Sequence, residues 1–349
     1  MSSLDNPNIY SKKPYRDAFE ILSNYVKDFL DGLKIGEKVE VGEVESIAFL
    51  GVGGSGIIGD SVSQILNTMS DVRTVVVKDY IPPNGEWDLT IAVSYSGNTA
   101  ETLEALSSLV RDEAKVLVVT SDGKLAQLAE KIGAYILRVK SGMPPRYAFP
   151  NMLGAVLGAL RKVGIDLDEL KAGAEAADLF REKISENIPL DRNPAKSAAE
   201  KIFGKIPIVY AYREVSCIGY RLKCELNENA KLFCHYGDIP EAFHNDVEGY
   251  PENFLLVFPR SFQEPEPIKH AIEALCEIVG YDKCLSLKVS ARRSFEELLK
   301  LFMFMDYISV YTSILTGSNP MTLDRIPAMK KRNKAYSEIL SKVSKRFGI

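Results

Sequence analysis

Between residues 46 and 139, short apolar runs alternate with helical stretches, and no other feature restricts the fold so tightly. SIAFLGV (46–52), RTVVVK (73–78), LTIAVS (89–94), KVLVVT (115–120) and AYILRV (134–139) are too short for core helices and too continuously apolar for strands with one wet face. Helices follow, one marked by Ile58, Val62, Ile65 and Leu66, others at about 99–112 and 124–131. Apolar strands alternating with helices mean a parallel, doubly wound α/β sheet. The pattern restarts with PIVYAY (207–212), NFLLVF (253–258) and CLSLKVS (284–290), accompanied by the helix bearing Glu228, a helix near 267–279 and a long one at 293–315. Two similar α/β domains side by side are expected, which suits 349 residues. The expected division is an N-terminal helical segment (1–45), a first domain (46–150), a helical linker (151–192), and a second domain with a basic C-terminal helix (193–349). Tyr15, Phe19, Leu22, Val26, Phe29 and Leu30 mark an amphipathic helix over 10–34, and a long helical stretch runs from Asn151 to about Glu186.

In open parallel sheets, ligands bind beyond the carboxyl ends of the strands, at helix N-termini. Two turns of that kind stand out. GVGGSGIIGD (51–60) lets a ligand approach the backbone through Gly53 and Gly54, with Ser55 beside them, and its N–H groups suit an anion. It also satisfies GxGxxG through Gly51, Gly53 and Gly56, and Asp79 falls where a ribose-binding acid stands in dinucleotide sites. The second turn, SYSGNTAET (94–102), brings the hydroxyls of Ser94, Ser96 and Thr99 to the start of a helix. A phosphate monoester needs about that many donors. Asn98 and Glu101 read as a capping box, which accounts for Asn98 but leaves Ser94 and Ser96 unexplained.

Residues 219–248 hold the candidate chemistry. At about 100° per residue, Leu222, Leu226, Ala230 and Phe233 share one stripe, with Glu228 well off it. His244 follows in the short turn EAFHNDVE, beyond a break at Asp238 and Pro240. Alone, Glu228 reads as a solvated surface acid and His244 as a half-buried turn residue. Together with the phosphate loops they form a candidate acid/base pair.

The formal net charge of −4 disfavours a nucleic-acid partner. No apolar run approaches the roughly 20 residues that span a bilayer, and the polar N-terminus lacks the apolar core of a signal peptide, so a cytoplasmic enzyme is expected. Cys217, Cys224, Cys234, Cys276 and Cys284 form no CxxC pair and are expected to be buried thiols, with pairing of two of them left open.

GGSG and SYSGNTAET resemble the sugar isomerase (SIS) domain, a flavodoxin-like sheet that binds phosphosugars. PPR (144–146), NPAK (193–196), NENAK (227–231), EAFHN (241–245) and IPAMK (326–330) extend the resemblance to the archaeal-type bifunctional phosphoglucose/phosphomannose isomerases, over residues 46–331. It implies two SIS-type, flavodoxin-like domains and an aldose–ketose isomerisation of phosphosugars with no redox cofactor and no metal. Glu228 would move the proton between C1 and C2, and His244, reaching the site from a neighbouring subunit of a homodimer, would open the ring. Arg146 would stabilise the enediolate and Lys330 assist at O5. Gly53, Gly54, Ser55, Ser94, Ser96 and Thr99 would anchor the 6-phosphate, while Thr322 would leave room for the C2–C3 bond to rotate, so that glucose and mannose 6-phosphates both form. The alternatives are a non-catalytic SIS phosphosugar sensor and an NAD-dependent oxidoreductase resting on GxGxxG and Asp79. The segment before the first strand is too short and too weakly basic for the DNA-binding helices that usually accompany such a sensor.

Overall fold

The computed structural model describes residues 3–110 and 115–349. Residues 111–112, the expected end of one helix, lie outside them. The chain divides into two compact units.

The first α/β unit comprises Tyr25–Asp168 and Leu323–Ile349. Its strands are β1 (Ser46–Leu50), β2 (Arg73–Val77), β3 (Leu89–Val93), β4 (Lys115–Thr120) and β5 (Tyr135–Arg138), all parallel in the order β2-β1-β3-β4-β5. Each expected strand is present. β1 and β3 are buried along their whole length, as the continuous apolar runs require of strands covered on both faces. The order reverses between β1 and β3, and ligands bind at that switch point in flavodoxin-like sheets.

The helices Tyr25–Gly36 and Phe149–Ala159 pack against each other at backbone contact. A Cβ on Gly36 would stand 2.1 Å from the Ala155 carbonyl oxygen, and one on Gly154 would stand 2.2 Å from that of Phe29. Only glycine permits this approach. Two expected long helices are broken: the N-terminal one at Asn24, the later one near Gly164, which is left-handed at φ 93°.

The second unit comprises residues up to Asn24 and Glu169–Thr322. Its strands β6 (Ile206–Ala211), β7 (His235–Asp238), β8 (Phe254–Pro259) and β9 (Cys284–Leu287) are parallel in the order β7-β6-β8-β9. This repeats the first four positions of the other sheet. β7 has no counterpart among the expected strands, because HYGD is a short, half-exposed edge strand without an apolar run.

This division departs from the expected one. The C-terminal helix Lys334–Phe347 belongs with the first sheet, where Val343 packs in the cluster containing Leu103 and Leu106. Among the described residues one helix, Ser294–Thr316, is long and apolar enough to cross a bilayer, contrary to the expectation of no such run. It is the central core helix of the second unit, buried along nearly its whole length. The five cysteines are free thiols: Cys217, Cys234 and Cys276 are buried, Cys224 and Cys284 half-buried.

Candidate functional site

At the β1/β3 switch point two helices begin without a side-chain cap: Gly54–Met69, preceded by Gly53 at φ 58°, and Ala100–Leu109, preceded by Thr99. Uncapped first-turn N–H groups and the positive end of the helix dipole make each start a place for an anion. The capping box expected from Asn98 and Glu101 does not form, since Thr99 takes the cap position. Ser94 and Thr99 are buried with their hydroxyl oxygens 2.8 Å apart, while Ser96 is exposed and its oxygen accepts from the Asn98 N–H at 3.3 Å.

Arg146 sits in a 3-10 turn, Pro145–Ala148, and is buried rather than a surface arginine. Its guanidinium lies over the Tyr147 ring at 5.1 Å, and a Cβ on Gly54 would stand 3.9 Å from its Cα. The loop before it is clamped twice. The Asn151 side chain accepts from the Lys140 N–H at 2.9 Å and donates to the Asp28 carbonyl at 2.8 Å. The Tyr95 hydroxyl accepts from the Met143 N–H at 3.2 Å, tying the hydroxyl-rich turn to the arginine loop. Lys330, on the helix Arg325–Arg332, places its ammonium 5.4 Å from the Tyr336 ring, whose hydroxyl donates to the Asn98 carbonyl at 2.8 Å. The first unit thus brings together Gly53, Gly54, Ser55, Ser94, Ser96, Thr99 and Arg146, with Lys330 linked through Tyr336. Asp79 is exposed and accepts from the Tyr80 N–H at 2.5 Å.

In the second unit Glu228 is the last residue of the helix Ser216–Glu228 and is half-buried. Leu222, Leu226 and Ala230 are buried as their shared stripe requires, but Phe233 lies past the helix and is 70% exposed. The residues around Glu228 are held from below. Arg221, fully buried, donates to both oxygens of Asp306 at 2.8 Å and pairs with Glu225 at 3.3 Å. Asn229 donates to Glu225 and to Ser309, each at 2.9 Å. Ala230 offers its carbonyl to Thr316 at 3.0 Å and Ser318 at 2.9 Å. The Lys231 ammonium donates to the carbonyls of Glu228 at 2.5 Å and Thr322 at 2.6 Å, which sets Thr322 beside Glu228.

His244 is elsewhere. The helix Ser216–Glu228 runs back from the end of β6 to the start of β7, so Glu228 lies at the edge where these parallel strands begin. His244 closes the turn Glu241–His244, beyond the opposite end of β7, and is exposed. The length of that strand, about 10 Å, and the loops at either end separate them. Within one chain the two residues do not form a pair. The other histidine here, His235, is held by Asp246 at 2.8 Å.

Against this geometry the comparisons are specific. Residues 42–157 match the SIS domain model, and residues 191–332 match the bacterial phospho-glucose isomerase C-terminal SIS domain. A curated bifunctional phosphoglucose/phosphomannose isomerase of Aquifex aeolicus is 34% identical over 84% of this chain and 92% of its own. The chain belongs to the bifunctional phosphoglucose/phosphomannose isomerase family. A D-glucosamine-6-phosphate 4-epimerase of Sulfolobus acidocaldarius is 33% identical over 70% of this chain and 72% of its own. Among solved structures, glucosamine-6-phosphate deaminase of Thermotoga maritima shares the fold, with a TM-score of 0.68 at 16% identity, covering 89% of this chain and 97% of that one.

In this member of the bifunctional phosphoglucose/phosphomannose isomerase family the second sheet does not repeat the hydroxyl cradle of the first. The turn after β8 is engaged internally: Glu297 accepts from the Ser261 hydroxyl at 2.6 Å and the Phe262 N–H at 2.8 Å. A carboxylate of the chain itself therefore occupies the donors of this turn. Burial pushes the Glu297 carboxyl upward, opposed by those two hydrogen bonds. Sequence reasoning missed Tyr95 and Lys231. Tyr95 lies inside SYSGNTAET and Lys231 inside NENAK, stretches singled out for other residues.

Proposed function

We propose that this enzyme interconverts glucose 6-phosphate, fructose 6-phosphate and mannose 6-phosphate through a cis-enediol, as a cytoplasmic homodimer. The observation that carries the reading is the cradle at the β1/β3 switch point: two uncapped helix starts, the buried Ser94–Thr99 hydroxyl pair and a buried arginine. Its chemistry suits a phosphate monoester beside a developing oxyanion. Membership of the isomerase family supplies the reaction class.

In this reading Gly53, Gly54, Ser55, Ser94, Ser96 and Thr99 hold the 6-phosphate, a remote anchor that orients the sugar. Glu228 moves the proton between C1 and C2, Arg146 faces the enediolate oxygens, and His244 of a second subunit, with Lys330, opens the ring. Glucose and mannose 6-phosphates differ only at C2, which is planar in the enediol. Room beside Thr322 for rotation about C2–C3 lets either face be protonated.

The test is a coupled assay on fructose 6-phosphate that resolves the two aldose products, with and without EDTA. Both products in the presence of chelator support the bifunctional reaction run without a metal. Glucose 6-phosphate alone removes the rotation step. Turnover of glucosamine 6-phosphate without either product would move the chain to the chemistry named for its Sulfolobus acidocaldarius relative. Glu228→Gln should lower kcat by about a thousandfold or more with phosphosugar binding kept; a near-normal rate would place the base elsewhere.

A further inference from the structure

We propose that Lys231 is a positioning residue that holds the Thr322 segment at a fixed distance from Glu228, and thereby sets the ratio in which the two C2 epimers form. The inference rests on the proposed isomerase reading and deepens it.

Three observations converge. Lys231 adopts φ 54°, left-handed backbone that a non-glycine residue rarely takes and that persists only where the surroundings hold it. Its neighbours supply that hold: Asn229 is fixed to Glu225 and Ser309, Ala230 to Thr316 and Ser318, and Asn227 donates to the Leu232 carbonyl at 2.8 Å. In this conformation the side chain returns over its own helix end, and one ammonium donates to the carbonyls of both Glu228 and Thr322. Glu228 and Thr322 are the residues assigned to the proton and to the space for rotation. Lys231 joins them without occupying either role.

The consequences differ for the two ends of the bridge. Glu228 ends a helix whose neighbouring turns are anchored to the core by Arg221, Asp306 and Asn229, so loss of the ammonium leaves its position largely set. Thr322 lies in an irregular, exposed stretch after Gly317, where the Met321 N–H is taken by Asn319 at 2.8 Å. The bond from Lys231 spans 91 residues of sequence and fixes Thr322 relative to the anchored helix end. Without it the wall beside C2 and C3 loosens, which changes the competition between faces more than it changes proton abstraction.

The experiment measures the initial ratio of glucose 6-phosphate to mannose 6-phosphate formed from fructose 6-phosphate in Lys231→Met, Lys231→Gly and Lys231→Arg, with KM and melting temperature alongside. Lys231→Met and Lys231→Gly should both shift the ratio by threefold or more, with KM within about twofold of wild type. Lys231→Gly removes the ammonium while favouring the left-handed backbone, so it separates the bridge from the strain. Lys231→Arg should return the ratio towards wild type, because a guanidinium can donate to two carbonyls. A folded Lys231→Met or Lys231→Gly with an unaltered ratio overturns the proposal, as does a proportional loss of both products that arginine fails to rescue. Wild-type enzyme yielding a single aldose would remove the rotation step of the proposed reading first, and this inference with it.

Discussion

The hydroxyls of Ser94 and Thr99 lie 2.8 Å apart, both nearly closed to solvent, at the start of an uncapped helix. One of the two donates its only O–H to the other, so the pair keeps one O–H for a further acceptor. A phosphate bound here gains donors already oriented. Ser94→Ala removes one donor to a charged group, worth about 1.5–3 kcal/mol, so kcat/KM for fructose 6-phosphate should fall roughly 10- to 100-fold. The same variant leaves Thr99 short of a partner, and melting should fall by a few degrees. An unchanged kcat/KM would remove Ser94 from the phosphate site.

Gly97 sets the shape of that turn. It stands at φ 65°, and a Cβ there would lie 1.7 Å from the Asp122 carbonyl oxygen, a backbone atom with no easy route away. Gly97→Ala should cost on the order of 3 kcal/mol and weaken phosphosugar binding together with stability. Calorimetry with and without fructose 6-phosphate checks both; a stable variant with normal ligand stabilisation would contradict the geometry.

The first sheet was legible because its strands are buried on both faces and so read as unbroken apolar runs. The two turns at the β1/β3 switch point were legible because glycines and hydroxyls cluster at those strand ends. β7 was not: HYGD, at an edge and half exposed, has nothing to bury. The placement of the last helix was hidden too, since the apolar stripe containing Ile339, Leu340 and Val343 states that it packs but not upon which sheet. Glu228 was legible as a residue off the stripe. The device that surrounds it, Lys231 over Glu228 and Thr322, joins positions far apart in sequence and leaves no periodic trace.

Asp306 gives a pH dependence with a definite sign. Burial pushes its carboxyl up to about 7 against the pull of Arg221, with Glu225 adding to the rise. A carboxyl raised above its unfolded value contributes stability that is fully present below about pH 4 and is lost as pH rises through about 7. Wild type should therefore lose stability between about pH 4 and 7 relative to Asp306→Asn, which lacks the titrating group, although the variant should be less stable overall for breaking a buried pair. Melting curves across that range for both proteins decide it; parallel profiles would mean that Asp306 stays ionised throughout.

Glu228 and His244 lie at opposite ends of β7, so under the proposed reading a site using both as acid and base would draw them from different subunits. In a twofold dimer each site would take Glu228 from one subunit and His244 from the other. Glu228→Gln and His244→Ala homodimers should each retain only a small fraction of wild-type turnover. In a mixed dimer, however, one site loses both residues and the other keeps both. Random pairing of the variants, co-expressed in equal amounts or exchanged after mixing, should restore about one quarter of wild-type activity. Separately purified variants, assayed together before exchange, supply the baseline. Mixed-dimer activity no greater than that baseline, with heterodimers verified by differential tags, would place both residues' work within one subunit or remove His244 from the reaction.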